Sequence, residues 1–384
     1  MLRRITLDNY KTFTQETTID FSATNYKFLE ETNVGNKRVL KGSLFVGENA
    51  SGKTNILQAI RFLLKFLFDV NTPVMRDMPS FYTKRNDFAI SYEFLIDGTH
   101  IIYTIKANPF AVLEEKLIVG GENWVDRKGS QVKYQSADKN MISTDFQQQQ
   151  LSFLRAFYFD THFYSDIILN KWFQFLIDSV YINCSTHYVE SMDVNRSRLE
   201  PVEYIKENGL TKINEVLSQI NYRQRINYVQ KTHNKHGSYN VESSDKIIVF
   251  EKEGTDTEIP ISYESTGNKT FLALLPTFIH ATGRNCMVIV DEFSSGFHNE
   301  LEACLLKYFF RRTNDSQIFF VTHSTSILNN SIIRPDQVYS VKFSGLNGSV
   351  IHRFSDEMPR EAQNLEKMYL NGVFDGVPYY NQSF

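Results

Sequence analysis

The feature that most constrains this chain is a glycine-bearing loop, GENASGKT, at residues 47–54. A short apolar run, residues 43–46, precedes it, and a stretch with apolar residues at helical spacing follows it. A strand, a G-x-x-x-x-G-K-[ST] loop and a helix in this order are typical of a phosphate-binding loop, whose backbone N–H groups face an anion. An ordinary glycine turn is the alternative, but the flanking strand and helix favour the phosphate loop.

The loop predicts ATP and Mg²⁺ as ligands. We expect the Lys53 ammonium to neutralise the β and γ oxygens of the nucleotide, and the Thr54 hydroxyl to ligate Mg²⁺. The residues expected to contact the nucleotide are Gly47, Glu48, Asn49, Ala50, Ser51, Gly52, Lys53, Thr54 and Asn55.

Two later apolar runs, 286–290 and 318–321, end in polar residues that suit the same chemistry. At the carboxyl edge of a parallel sheet, Asp291 would be a second Mg²⁺ ligand and Glu292 would orient or activate the attacking water. His323 would reach a γ-phosphate or that water. Solvated acids at a strand end and a structural histidine are the alternatives. The predicted catalytic residues are Lys53, Glu292 and His323.

Apolar periodicity predicts an α/β fold. Residues 5–10 and 18–21 alternate between apolar and polar, as half-buried strands do. The run 88–105 alternates around Asp97-Gly98, which predicts a β-hairpin. From residue 268 to 321 helical patterns alternate with short apolar strands, and this order predicts a mostly parallel sheet covered by helices.

The middle of the chain has a different character. Residues 120–150 are polar and predict turns and loop, whereas 151–180 are rich in aromatic residues and predict helix with breaks. The segment 223–236 carries six lysine, arginine and histidine residues. It is either a basic hairpin that contacts nucleic acid or, more commonly for such runs, a solvated face.

Composition narrows the class of protein. With 41 basic and 44 acidic residues among 384, the net charge of -3 argues against a surface that is cationic throughout. The three cysteines are unclustered, so we expect neither zinc nor disulfides, and a cytoplasmic location. No apolar run is long enough for a membrane span, and the amino terminus lacks a signal-peptide core.

Four segments in this order carry a family resemblance: GENASGKT, SYESTGNKTFLALLP, VIVDEFSSGFHNEL and FFVTHSTSIL. Together they resemble the ABC-type ATPase heads of the SMC and overcoming-lysogenization-defect (OLD) group, including OLD-like AAA ATPases of bacterial defence operons. The tail NLEKMYLNGVFDGVPYY is similar to a carboxy-terminal segment of such defence ATPases.

The resemblance implies an ABC-type P-loop ATPase head, with a mixed β-sheet, helices and an antiparallel β subdomain. On this basis residues 1–120 and 240–384 form a split head. Residues 121–239 form a mainly helical insertion and a possible oligomerisation or partner-binding surface, in which the aromatic stretch is a candidate for assembly.

The resemblance also implies a homodimer that holds each ATP between two heads. The segment of one protomer that begins at Glu264 would meet the nucleotide of the other, and residues 294–298 occupy the place of the D-loop, which lies between the two heads in that family. No glutamine stands in the Q-loop place, and Lys11 resembles the basic residue that family heads use near the nucleotide. The residues implied for this contact in trans are Ser265, Gly267 and Lys269.

Three functional hypotheses follow. The first is an ATPase subunit of an antiphage, abortive-infection type system that regulates a separate nuclease or toxin, of Toprim or HNH type, in response to a phage-derived trigger. Since only 61 residues follow His323, we expect no nuclease domain on this chain. The second is a RecF-like or SMC-like DNA-repair ATPase, and the third is a scaffold that binds ATP without turnover.

Overall fold

The computed structural model describes residues 1–69, 71, 74–192, 199, 201–230, 246–255, 257–296 and 298–377. The strands are β1 (Leu2–Asp8), β2 (Thr17–Asp20), β3 (Gly42–Val46), β4 (Phe88–Ile96), β5 (Thr99–Ala107), β6 (Val112–Val119), β7 (Glu122–Lys128), β8 (Gln131–Gln135), β9 (Met141–Asp145), β10 (Val180–Asn183), β11 (Tyr188–Ser191), β12 (Gln224–Gln230), β13 (Lys246–Lys252), β14 (Glu258–Pro260), β15 (Met287–Asp291), β16 (Gln317–Val321), β17 (Val338–Phe343) and β18 (Ser349–Arg353). The helices are α1 (Glu30–Asn33), α2 (Lys53–Phe68), α3 (Phe153–Thr161), α4 (Ile167–Ile177), α5 (Pro201–Asn208), α6 (Thr211–Gln219), α7 (Thr266–Gly283), α8 (Asn299–Arg312) and α9 (Leu365–Leu370).

A seven-stranded mixed sheet, in the order β11-β10-β15-β16-β3-β17-β18, forms the centre of the fold. The five inner strands are parallel, whereas β11 and β18 pair antiparallel with their neighbours. Both faces of the inner strands are buried, with α2 packed in one apolar cluster and α7 and α8 in the other. Apolar runs without alternation are what strands covered on both faces require, and the predicted parallel sheet is confirmed.

An eight-stranded antiparallel sheet, in the order β2-β1-β4-β5-β6-β7-β8-β9, lies beside α2 and shares its apolar cluster. The burial of β4 alternates strictly along the strand, as the sequence pattern predicts. The β4–β5 hairpin turns at Asp97 and Gly98, both with positive φ, in the manner of a type I′ turn. The predicted α/β fold with mixed and antiparallel sheets is thus confirmed.

The predicted loop at 120–150 is wrong, because β7, β8 and β9 continue the antiparallel sheet there. Every residue of β9 is exposed, so this edge strand carries no apolar alternation that a sequence pattern could detect. Farther on, β10 and β11 join the central sheet. The segment 121–239 therefore mixes strands with helices α3–α6 in its described part, rather than being the mainly helical insertion that we expected.

The aromatic stretch forms two helices, α3 and α4, joined by a 3₁₀ turn, as predicted. Its rings are mostly core. Phe94 of β4 packs against Trp172 at 5.6 Å between ring centroids, and only Phe159 and Tyr164 among the rings are largely exposed. The hypothesis that these rings form an assembly surface is therefore wrong for the buried ones, which are Phe153, Phe157, Phe163, Trp172, Phe173 and Phe175.

Within the described residues, no helix combines the length and the apolar character needed to cross a membrane.

Candidate functional site

The loop at 47–54 connects β3 to α2 and has a backbone that only glycine tolerates at two places. Gly47 and Gly52 have φ values of +145° and +108°. A Cβ atom on Gly47 would lie 2.2 Å from the Val341 carbonyl oxygen, and one on Gly52 would lie 2.4 Å from Ser349 Oγ. Both positions would clash, so the glycines are required by close packing as well as by conformation.

Lys53, the first residue of α2, is almost fully buried. Its ammonium donates to the carbonyl oxygens of Gly47 at 2.9 Å and of Glu48 at 2.7 Å. Burial lowers the pKa of Lys53, and the carboxylates of Asp291 and Glu48 oppose that shift. The lysine is therefore held across the mouth of the loop, where a positive charge would meet an anion bound by the first amides of α2.

Thr54 and Asp291 meet directly. The Thr54 hydroxyl donates to Asp291 Oδ1 at 3.2 Å, although 237 positions separate the two residues. Burial raises the pKa of Asp291, the Thr54 hydrogen bond lowers it, and the charge of Glu292 raises it further. A cation placed between Thr54 Oγ1 and Asp291 Oδ1 would offset the cost of burying the Asp291 carboxylate.

The loop has the properties that Mg²⁺ and a triphosphate require. The Ser51 hydroxyl is fully buried and has no hydrogen-bond partner, so it can donate to a phosphate oxygen bound in the loop. Among the described residues no three His, Cys, Asp or Glu side chains cluster as a metal cage. Mg²⁺ usually keeps several waters and takes one or two protein oxygens plus phosphates, and Thr54 with Asp291 fits that pattern.

Glu292 directly follows Asp291, and His323 lies two residues after the end of the neighbouring strand β16. Glu292 follows β15 in a left-handed conformation, φ +55°, that is uncommon for a residue other than glycine. The buried ring of Phe293 anchors the turn against Phe320, 5.7 Å away. The backbone N–H of the exposed His323 donates to Ser294 Oγ at 3.3 Å. This hydrogen bond links the segment that follows β15 to the segment that follows β16.

The segment 264–269 begins α7 and is held by its own neighbours. Ser265 caps the helix by accepting from Asn268 N at 3.2 Å, and Glu264 accepts from the Asn268 amide at 2.6 Å. Lys269 donates to the Ser262 carbonyl, and Gly267 packs beside Gly296. None of these partners belongs to the phosphate loop. Within one chain, these contacts do not bring Ser265, Gly267 and Lys269 to the loop.

Several residues that sequence reasoning missed surround the site. Asn183, at the end of β10, lies opposite Asp291, and Tyr181 faces the same carboxylate. Burial, and then the charge of Asp291, raises the pKa of Tyr181 to about 12. The Arg61 guanidinium of α2 lies 4.2 Å above the Tyr181 ring and bonds Glu190 of β11 at 2.5 Å. A polar residue after a short strand was the available signal for Asn183.

The turn after β1, which contains Lys11 and Thr12, contacts the residue that follows the phosphate loop, since Asn55 donates to Thr12 Oγ1 at 2.9 Å. Strand β18 contacts the loop itself, since Ser349 donates to the Ser51 carbonyl at 2.6 Å. Lys11 precedes Thr12 in this turn, and burial lowers its pKa. The predicted proximity of Lys11 to the nucleotide therefore stays a prediction, supported by the contact of its neighbour.

The basic segment 223–236 is only partly described, since residues 231–236 lie outside the described part. Arg225 lies opposite Glu251 in the β12–β13 pair, and Glu253 pairs with the backbone of Arg223. Acidic residues therefore accompany the described arginines.

A comparison with protein families identifies the class. The family described as "AAA domain, putative AbiEii toxin, Type IV TA system" matches residues 43–329. This match covers most of the chain, from the phosphate-loop strand past His323, so the chain belongs to this family of AAA ATPases. No curated protein matches the chain significantly.

Solved structures show a similar fold. A structure of the SmcHead bound to the C-winged helix domain of ScpA is 14% identical, with a TM-score of 0.55 over 93% of this chain and 99% of that one. The SMC head domain from Thermotoga maritima is 14% identical, with a TM-score of 0.50 over 92% and 98% of the two chains. At this identity the likeness establishes the head fold alone.

Proposed function

We propose that this chain binds and hydrolyses ATP with Mg²⁺ as the ATPase subunit of a bacterial antiphage, abortive-infection type defence system. The observation that carries the ATPase part is the meeting of Lys53, Thr54 and Asp291 at the ends of β3 and β15. The defence part is supported by the family description and by the tail that resembles OLD-like defence ATPases.

The residues would divide the work in the following way. The first amides of α2 and the Lys53 ammonium bind the phosphates. Thr54 and Asp291 would hold Mg²⁺, which would neutralise charge on the phosphate oxygens. Glu292, adjacent to the metal ligand, would orient or activate the attacking water, and His323, two residues after β16, would reach the γ-phosphate or that water.

The segment that begins α7 would meet the nucleotide of a second copy of the chain. This role is supported by its hydrogen bonds, which join Ser265, Asn268 and Lys269 to residues outside the phosphate loop of the same chain. ATP would then join two heads into a homodimer, and higher homo-oligomers could assemble from such dimers.

The head dimer would regulate a separate effector. A Toprim or HNH nuclease, or another toxin, would bind the oligomer and respond to a phage-derived trigger through the nucleotide state. We place this system in the cytoplasm, where the three free cysteines stay reduced. Direct contact with nucleic acid is left to the effector.

A second candidate is an SMC-like or RecF-like DNA-repair ATPase, with which the likeness to SMC heads is compatible. The two functions predict different partners. Co-purification of the chain from its native host with a nuclease of Toprim or HNH type supports defence, and co-purification with replication or repair proteins supports the alternative.

The test of the ATPase function is Glu292→Gln. This variant is expected to bind ATP, hydrolyse it poorly and accumulate a dimer in Mg·ATP, as measured by phosphate release and by light scattering. Glu300→Gln, an exposed glutamate at the start of α8, is the matched control and should behave as wild type. Wild-type turnover in Glu292→Gln would move the catalytic base to another residue.

A further inference from the structure

The described part of the tail singled out by the sequence, residues 364–377, folds onto the head through buried side chains. Leu365, Tyr369 and Phe374 are buried. The Phe374 ring stacks on Phe354, with 3.8 Å between centroids and 13° between ring planes. The segment after α9 therefore has a fixed place in the apolar core, and this anchoring decides where its last described residues lie.

Gly376 lies against the phosphate loop. A Cβ atom on Gly376 would lie 3.2 Å from the Val341 carbonyl oxygen and 3.6 Å from the Cα of Gly47. The same Val341 carbonyl lies 2.2 Å from the Cβ position of Gly47. The first glycine of the phosphate loop is therefore enclosed by β17 and the tail together.

Two hydrogen bonds fix the tail at this point. The Tyr369 hydroxyl donates to the Gly376 carbonyl at 3.1 Å, and the Ser340 hydroxyl of β17 donates to the Phe374 carbonyl. Gly376 has a φ of +69°, which favours glycine. Because the Tyr369 hydroxyl bonds the Gly376 carbonyl within the same segment, it sets the position of the backbone beside Gly47.

Gly47 in turn holds Lys53. The Gly47 carbonyl accepts from the Lys53 ammonium at 2.9 Å, and the neighbouring Glu48 carbonyl accepts at 2.7 Å. Tyr369 lies near Glu48 as well, since burial and then the charge of Glu48 raise its pKa to about 12. The contacts thus run from Tyr369 through Gly376 and Gly47 to the lysine.

We propose that the carboxy-terminal segment is a positioning element for the phosphate loop, in which Tyr369 and Gly376 fix the backbone beside Gly47 so that Lys53 faces the triphosphate. Both are positioning residues, because they act through Gly47. The inference rests on the proposed function, since it needs a nucleotide at the loop.

Tyr369→Phe tests the inference with the smallest change, because it removes one hydroxyl and keeps the ring. We expect the Kd and the KM for Mg·ATP to rise about threefold to tenfold, the range that one lost hydrogen bond gives. The kcat should stay unchanged, since Asp291 and Glu292 are untouched. A merely structural role would instead lower the fraction of active molecules, and so the apparent kcat, at an unchanged Kd.

Tyr339→Phe is the matched control. Its buried hydroxyl donates to the Asp20 carbonyl at 2.6 Å, so it loses the same kind of bond outside the tail. Its Kd for Mg·ATP should equal that of the wild type. A loss of affinity equal to that of Tyr369→Phe would overturn the proposal, because any lost buried hydroxyl would then have the same effect.

Gly376→Ala is the second variant, and it should raise the Kd further because its methyl group would crowd the Val341 carbonyl and alanine is strained at the positive φ of this position. If both tail variants bind Mg·ATP as tightly as a binding-competent wild type, the inference is overturned and the proposed function stands. If the wild type itself does not bind Mg·ATP in calorimetry, the proposed function fails, and the inference fails with it.

Discussion

Glu302 of α8 is a buried acid whose removal should stabilise the protein near neutral pH. Its side chain is fully buried, and neither carboxyl oxygen has a hydrogen bond of good geometry. Burial raises its pKa to about 8 from an ordinary 4.5, although the Thr322 and Ser324 hydroxyls oppose the shift. The folded protein therefore keeps this group protonated at a pH where the unfolded chain ionises it.

The sign and size of the effect follow from this shift. Below pH 4.5 both states are protonated and the group costs nothing. From pH 4.5 to about 8 the folded state binds more protons than the unfolded state, so stability falls as the pH rises, by up to about 1.4 kcal/mol per pH unit. Over this interval Glu302 would cost up to about 5 kcal/mol.

Glu302→Gln removes the titration and keeps the shape. Urea unfolding of wild type and variant at several pH values from about 5 to about 8 measures the difference in the free energy of unfolding. We expect the variant to gain stability over wild type as the pH rises, and to gain nothing more above about 8. The exposed Glu300→Gln on the same helix should gain nothing at any pH. A difference between Glu302→Gln and wild type that does not change with pH would refute the reasoning.

Two further predictions concern the core. Phe157→Ala should lower the free energy of unfolding by about 3–5 kcal/mol, because its ring is buried. Phe159→Ser, at an exposed ring, should change that free energy by less than about 0.5 kcal/mol. Urea unfolding measures both variants, and equal effects would contradict the packing. Arg334→Met should cost about 3–5 kcal/mol, since it removes the only cation paired in the described residues with the buried Asp336 carboxylate, at 2.7 Å. Adding Asp336→Leu should recover only part of that loss, because Thr24 then loses the acceptor of its N–H and hydroxyl; a double variant as unstable as Arg334→Met would contradict this explanation.

The parts of the fold that sequence predicts well are those with local causes. The phosphate loop combines glycines that tolerate positive φ with a helix start, and all of that information lies within a few neighbouring residues. The Asp97-Gly98 hairpin is predicted for the same reason, since the two turn residues adopt positive φ between alternating strands. Lys53, Thr54 and Asp291 were accordingly assigned from the sequence, and the structure brings them together.

The parts that sequence did not predict depend on distant partners. The exposed edge strand β9 has no apolar face, so its only signature is its pairing with β8. The four-residue strand β10 follows an aromatic helix directly, which hid Tyr181 and Asn183 from pattern reasoning. Gly376 lies beside Gly47 although the two residues are far apart in sequence, and no local pattern encodes such a proximity.

The central claim is that the loop at 47–54 binds ATP through Lys53, and calorimetric titration of Mg·ATP tests it most directly. Lys41→Met provides the control, because Lys41 is as buried as Lys53 and its ammonium also donates to two carbonyl oxygens, those of Phe310 and Thr313. Lys41 lies before β3 and outside the phosphate loop. We predict that the wild type and Lys41→Met bind Mg·ATP, whereas Lys53→Ala loses binding. Unchanged affinity in a folded Lys53→Ala protein would contradict the account.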